Sequence, residues 1–384
     1  MGNLRGAMFI IGTSIGAGFL SGAELVRFFH TERFLLPVFL SSFVFFIVCV
    51  LFLHLGKKYG GFYGVLSALF GKGASAVKVG VSLSSLIPSA GMLAGLDALL
   101  PDLKPLLSVL GMALILLCLR KGMKGISILN SLLVPVLLIF IFYYGWGKKE
   151  YFYPVLIGGK DGYLGGIVYA FMNVYLAAPV LMDAGKEMKR TAIPAAVAGI
   201  FIAACSVCIL GRIYREGAGA IGADMPFLYV MRGKKIFHVA TALAILTSLA
   251  SSLYPIIKLS EGLKRGKNAA KGVTLLAAFL LSRLGISGIV RYLYPALGIA
   301  GMLLSVFCIF HEYLFKKYDK KIHSGGKNAK NKNCSHHKIQ FKHLTAVNEQ
   351  ISKSCAGNDV LAHDRADPRH ADVDFQHRNK RGKR

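Results

Sequence analysis

Acidic residues are scarce in this 384-residue chain: 19 Asp and Glu stand against 46 Lys and Arg, for a formal net charge of +27. Inside its apolar stretches no paired acids, histidine cluster or activated nucleophile stand at catalytic spacing, so nothing there points to an enzyme. The seven cysteines are scattered without paired spacings, which argues against a disulfide framework. Cys205 and Cys208 have C-x-x-C spacing but fall mid-run in "FIAACSVCILG", where thiols behave as small apolar groups and not as a redox pair. The glycines of "GFYGVLSALFGKG" (61–73) lack the G-x-x-x-x-G-K-[ST] spacing that cradles phosphates, and no ATPase is indicated.

What the chain has is hydrocarbon. Apolar residues make up 54% of it, gathered in runs of about 20 that basic loops separate, and this predicts an all-α integral membrane protein partnered by the lipid bilayer. Ten spans are expected, near 6–28, 34–55, 74–99, 104–119, 124–146, 163–184, 191–213, 236–260, 269–284 and 287–314. The first lacks a basic n-region followed by a small-residue cleavage site and is read as a retained span. Lysine and arginine concentrate on alternate loops, such as Lys57, Lys58, Arg120, Lys121, Lys186 and Lys316. The positive-inside rule then puts both termini in the cytoplasm of a cell-membrane protein, and the basic charge needs no nucleic-acid partner. The expected transmembrane domain is 1–318. Beyond it, 319–384 has too little apolar surface to bury and is expected to be a disordered basic tail. Cys334, His336 and His337 offer metal-ligand chemistry there, but no second ligand pair stands at finger-like spacing.

The first span is peculiar. "IIGTSIGAGFLSGAELVRFF" (10–29) is apolar yet carries Gly12, Gly16, Gly18 and Gly22, with Thr13, Ser14 and Ser21 between them. Two readings fit: close helix packing of the small-xxx-small kind, or a break in the helix beside a wet cavity. A second span, "GGIVYAFMNVYLAAPVLMDAG" (165–185), is interrupted by Asn173 and Pro179. Broken helices opening each half of a ten-span chain mark a 5+5 inverted repeat, here about 6–146 and 163–314, with broken helices 1 and 6. Such repeats place a transporter's site at the bilayer midplane.

"GTSIGAGFLSGAELVRFF" resembles the first segment of the amino acid, polyamine and organocation transporters, and most closely that of the YkvI-type membrane proteins, which reads much like "GAGFASGQE…FF". "ALAILTSLASSLYPIIKLSEGL" (242–263) is similar to segment 8 of leucine-transporter-fold symporters, where a Thr-Ser pair precedes a Pro by eight residues, as Thr247, Ser248 and Pro255 do. The resemblance implies a secondary transporter that moves a small amine-bearing or zwitterionic solute, without an organic cofactor. It implies a substrate carboxylate near Ser14, Gly16, Ala17 and Gly18. It implies a sodium ion on the carbonyls of Gly12, Ile15 and Ala244 and the hydroxyls of Thr247 and Ser248, all oxygens as a hard cation requires. The alternative for the two hydroxyls is a bond back to the preceding helical turn. Segment 5 carries no Lys where proton-driven relatives have one, which favours sodium or no coupling ion.

Further contacts are expected from Ser85, Tyr169, Phe171 and Asn173, with carbonyls freed around Ala170 and Asn173. Glu24 and Arg27, three apart, read as a gating ion pair, with a transported-proton site at Glu24 as the alternative. Asp183 reads as a cap or interface charge. Tyr292 and Tyr294 read as interface-belt residues. The semi-polar insertion 216–235 reads as a cavity lid or as a plain hairpin. A nutrient receptor in a transporter's fold, like the permease-like subunit of spore germinant receptors, would use the same pocket.

Overall fold

A computed structural model describes residues 1–29, 34–99, 101–103, 105–146, 160–231, 235–262 and 266–325. Chain in hydrocarbon must pair every amide and carbonyl internally, and the apolar runs accordingly wind into helices. Span 1 is three pieces, α1 (Asn3–Ser14), α2 (Ala17–Leu20) and α3 (Ala23–Phe29). Then come α4 (Leu35–Tyr59), a short α5 (Phe62–Phe70), α6 (Ala74–Ser84) with its continuation α7 (Leu86–Leu99), α8 (Leu106–Leu119) and α9 (Gly122–Trp146). The second half holds α10 (Lys160–Gly185), α11 (Ala192–Glu216), the small α12 (Ala218–Ile221) and α13 (Pro226–Val230), and α14 (Lys235–Glu261). It closes with α15 (Lys267–Leu281), α16 (Gly285–Gly288) and, after a π-helical turn, α17 (Tyr294–Gly325).

Seven helical stretches among the described residues are long and apolar enough to cross a membrane, and the chain is a multi-pass membrane protein. Three of the ten expected spans, the first, fourth and ninth, fall outside this set. At 1.5 Å per residue, α8 reaches about 21 Å and α15 about 22 Å, short of a hydrocarbon core of about 30 Å, and span 1 is not one helix.

Met1–Phe315 form one compact unit, and Lys316–Arg384 group separately. The helix α17 continues through 319–325, where a disordered tail was expected to begin. Residues 326–384, with Cys334, His336 and His337, lie outside the described residues, as do Arg33, Lys104, Lys148, Lys149, Arg232, Lys264 and Arg265.

Within the compact unit α4 and α10 pack backbone to backbone. A Cβ on Gly56 would run into the Met182 carbonyl, and one on Gly185 into the Leu53 carbonyl. Small residues permit that approach where no hydrophobic effect drives helices together in lipid.

The expectation of two broken spans is half corrected. Span 1 breaks twice, whereas α10 is continuous from Lys160 to Gly185. The difference is physical. No glycine stands between 167 and 184. Pro179 removes a single amide, and the Asn173 Nδ2 donates to the Tyr169 carbonyl one turn back, at 3.0 Å. No carbonyls are freed around Ala170 and Asn173 in the way a break would free them. In span 1 four glycines within eleven residues lower the cost of leaving the helix.

Candidate functional site

The first break lies between α1 and α2. Ile15 (φ −89°, ψ 96°) and Gly16 (φ −112°, ψ −164°) are extended, so the carbonyls that end α1 lose their helical donors. The neighbouring α14 supplies one. Ser248 Oγ donates to the Gly12 carbonyl at 3.2 Å and to the Ile15 carbonyl at 2.9 Å. From α9, Asn130 Nδ2 donates to the Phe9 carbonyl at 3.1 Å. Across the gap the Ala17 amide points at the Met92 Sδ of α7, 3.2 Å away.

The second break lies at Ser21 and Gly22. Gly22 takes φ +80°, which a residue without Cβ adopts freely. Ser21 Oγ donates to the Gly18 carbonyl at 3.1 Å, while the Ser21 carbonyl accepts the Phe227 amide of α13 at 2.6 Å. Phe227 is fully buried, edge-on to Phe237 with ring centres 5.0 Å apart. The insertion between α11 and α14 is therefore docked on span 1.

Beside the first break is an enclosed cavity of about 30 Å³. Span 1 lines it with Thr13, Ser14, Gly16 and Glu24; α7 with Pro88 and Met92; α10 with Asn173 and Leu176; α14 with Ser248, Ser251 and Ser252; and α17 with Tyr294. One water needs roughly 10–15 Å³ by this measure, so the space holds a few atoms. Ser14 Oγ is buried without a hydrogen-bond partner among the described residues.

Glu24, only 4% exposed, folds back over α2. A Cβ on Gly18 would occupy the place of its carboxylate. The Tyr169 hydroxyl faces Glu24 Oε2 at 3.5 Å, and the Tyr169 ring is wedged against Phe28 and Phe29. The expected Glu24–Arg27 pair is not formed among the described residues: Arg27 is exposed and Glu24 faces inward.

The expected residues are brought together unequally. Gly12, Ile15 and Ser248 meet directly. Thr247 is fully buried, and its Oγ1 bonds the Ala244 carbonyl at 2.8 Å, the back-bond that was the alternative for it. Ala17 packs against Gly95, and Gly18 lies under Glu24. Ser85 Oγ bonds the Val81 carbonyl at 3.2 Å where α6 gives way to α7, and it does not line the cavity. Phe171 is half-buried and also does not line it; its carbonyl faces Gly301 of α17.

Tyr294 reverses its expectation. It is 1% exposed and lines the cavity, whereas Tyr292, at 68%, stands on the surface. Ser251 and Ser252 were missed, although their signal was present: four hydroxyls within six residues, Thr247 to Ser252, on an apolar helix. Asp183, expected as a cap or interface charge, is 1% exposed, accepts the Phe62 amide at the start of α5 at 2.9 Å and the Tyr254 hydroxyl at 2.8 Å, and pairs with Lys258; those partners were not foreseen. An acid and a lysine inside separate apolar runs were the available clue.

The described residues hold no group of three or more His, Cys, Asp or Glu able to bind a metal. Any cation bound at the first break would meet hydroxyl and carbonyl oxygens, which suits a hard ion.

No protein-family model matches the sequence. Two curated proteins of Bacillus subtilis (strain 168) do. The uncharacterized protein YyaD is 23% identical over 331 residues, 82% of this chain and 98% of its own. The uncharacterized membrane protein YkvI is 23% identical over 321 residues, 76% of this chain and 91% of its own. The similarity thus spans nearly all of YyaD and nine-tenths of YkvI. Among solved structures, Mhp1, a nucleobase-cation-symport-1 family transporter in a closed conformation with bromovinylhydantoin bound, aligns over 81% of this chain and 74% of its own, at 15% identity and a TM-score of 0.47. A superposition that loose fixes neither fold nor function.

Proposed function

We propose that the protein is a secondary transporter that moves a small amine-bearing or zwitterionic solute across the cell membrane, with both termini in the cytoplasm. The observation that carries this reading is the double break of span 1 beside a buried polar cavity. Unpaired backbone at membrane depth is expensive unless it serves a cavity, and a carboxylate within a span marks a pathway for solute or ion.

The oxygens at the first break support sodium coupling. Gly12 O, Ile15 O and Ser248 Oγ converge from two helices, and Thr247 Oγ1 and Ala244 O lie within the same turn of α14. These five would hold a sodium ion, which supplies driving force when it runs down its gradient. Ser248 must then turn its proton off the two carbonyls, so ion binding is coupled to how the end of α1 is held. Alternating access follows if α2 and α3 swing relative to α7 and α14, opening the cavity to one side and then the other.

The test is uptake into proteoliposomes of labelled amines and amino acids under a sodium gradient, against a potassium gradient of equal strength. Sodium-dependent, saturable uptake is the expected result. Saturable binding without uptake would convert the reading to that of a receptor.

A further inference from the structure

The cavity beside span 1 is rich in acceptors. Thr13 Oγ1 donates to the Phe9 carbonyl at 2.8 Å and Ser248 Oγ to the Ile15 carbonyl at 2.9 Å; Ser251 Oγ donates to Thr13 Oγ1 at 3.2 Å and the Thr247 carbonyl at 3.3 Å, and Ser252 Oγ to the Leu249 carbonyl at 3.2 Å while accepting from Ser89 Oγ at 3.0 Å. Asn173 Nδ2 gives one N–H to the Tyr169 carbonyl, which leaves its second N–H and its Oδ1. Each of the four hydroxyls has its proton turned into its own or a neighbouring helix, so lone pairs are what they offer a guest. Glu24 adds a carboxylate, and no Lys, Arg or His lines the space. Ser14 Oγ, buried and unpartnered among the described residues, faces the same cavity.

We infer that the solute is a small monocationic amine without a carboxylate, its ammonium group held by Glu24 and the lone pairs of Asn173, Ser14 and the α14 hydroxyls. This rests on the transport reading above and narrows it. An ammonium group brings three donors and a positive charge to hydroxyl and amide lone pairs beside a buried carboxyl group, which its charge holds ionised. A solute carboxylate is acceptor-only. It would meet Glu24 over Gly18, in the place where a guest carboxylate was expected from the sequence, and like charges in a buried site repel. The cavity's present volume takes an ammonium group and little more, so the rest of the solute enters as α2 and α3 move.

The probes are ethylammonium, propylammonium and ethanolamine as amines, β-alanine as the carboxylate-bearing analogue of ethylammonium, and propionate as the anion. Each is added to the purified full-length protein at fixed ionic strength, with thermal unfolding and calorimetric titration as readouts. Wild type should be stabilised by at least one amine and bind β-alanine at least tenfold more weakly. Glu24→Gln should weaken amine binding at least tenfold, while Tyr292→Phe, on the surface away from the cavity, should retain it within about threefold. Should Glu24→Gln fail to fold, the wild-type comparison decides alone. The inference is overturned if β-alanine binds as well as the amines, if none of the three amines binds, or if Glu24→Gln folds and binds amines normally. Failure of the transport reading looks different: amines bind and depend on Glu24, yet none enters proteoliposomes.

Discussion

Ser248→Ala separates the structural from the ionic role of the α1–α14 junction. In the structure one buried hydroxyl, 4% exposed, serves the carbonyls of both Gly12 and Ile15, and among the described residues no backbone amide pairs with either. Removing a partner from a buried acceptor costs about 1–3 kcal/mol, and two acceptors are orphaned here. The adjoining cavity of about 30 Å³ gives water access to part of that surface, which holds the total near the single-group range. About 1–3 kcal/mol should lower the unfolding midpoint by about 2–6 °C in a unit of this size. Bound sodium adds a second effect, since a ligand at 100 times its Kd stabilises by about 2.7 kcal/mol. The assay is thermal unfolding of detergent-purified protein in sodium chloride against N-methylglucamine chloride. Wild type should gain stability in sodium; Ser248→Ala should start lower and lose most of that gain. If the variant unfolds at the wild-type temperature and keeps the full sodium increment, the junction is neither a strut nor an ion site and the reasoning fails.

Three further outcomes follow from the packing. Gly56→Leu, which drives a side chain into the Met182 carbonyl, should abolish monodisperse folding on size exclusion, because backbone and not a flexible side chain blocks the way. Lys258→Met should destabilise by about 1–3 kcal/mol, less than the loss of an isolated buried pair, since the Phe62 amide and Tyr254 hydroxyl still serve Asp183; the double variant with Asp183→Asn should recover part of the loss in the same denaturation assay. Phe227→Ala should cost about 3–5 kcal/mol if the ring's burial against Phe237 is what seats the insertion, and protease cleavage within 217–231 should then accelerate.

How far residue order revealed the site depended on whether the decisive force was local. Glycine spacing in span 1 is a local property, and the break was legible from Gly12, Gly16, Gly18 and Gly22. The meeting of Gly12, Ile15 and Ser248 was legible only through resemblance, because nothing local brings residue 12 to residue 248. Span 6 misled because Asn173 and Pro179 have the chemistry of helix breakers, whereas a side-chain amide that bonds one turn back leaves the helix intact. Glu24 and Arg27 misled in the opposite way: helical spacing makes them neighbours, but tertiary burial turned one inward and left the other exposed. Tyr294 sits two residues from Tyr292 in the same apolar context, and only packing against the cavity tells them apart.

The bond from the Phe227 amide to the Ser21 carbonyl has a mechanical meaning. A cover that is fastened to the very bend it covers cannot lift by itself. Any travel of the 217–231 segment tugs on the elbow at Ser21 and Gly22, and any straightening of that elbow must first let go of the cover. Two parts just over two hundred residues apart in the chain thus share one catch, and a single amide hydrogen is its tongue.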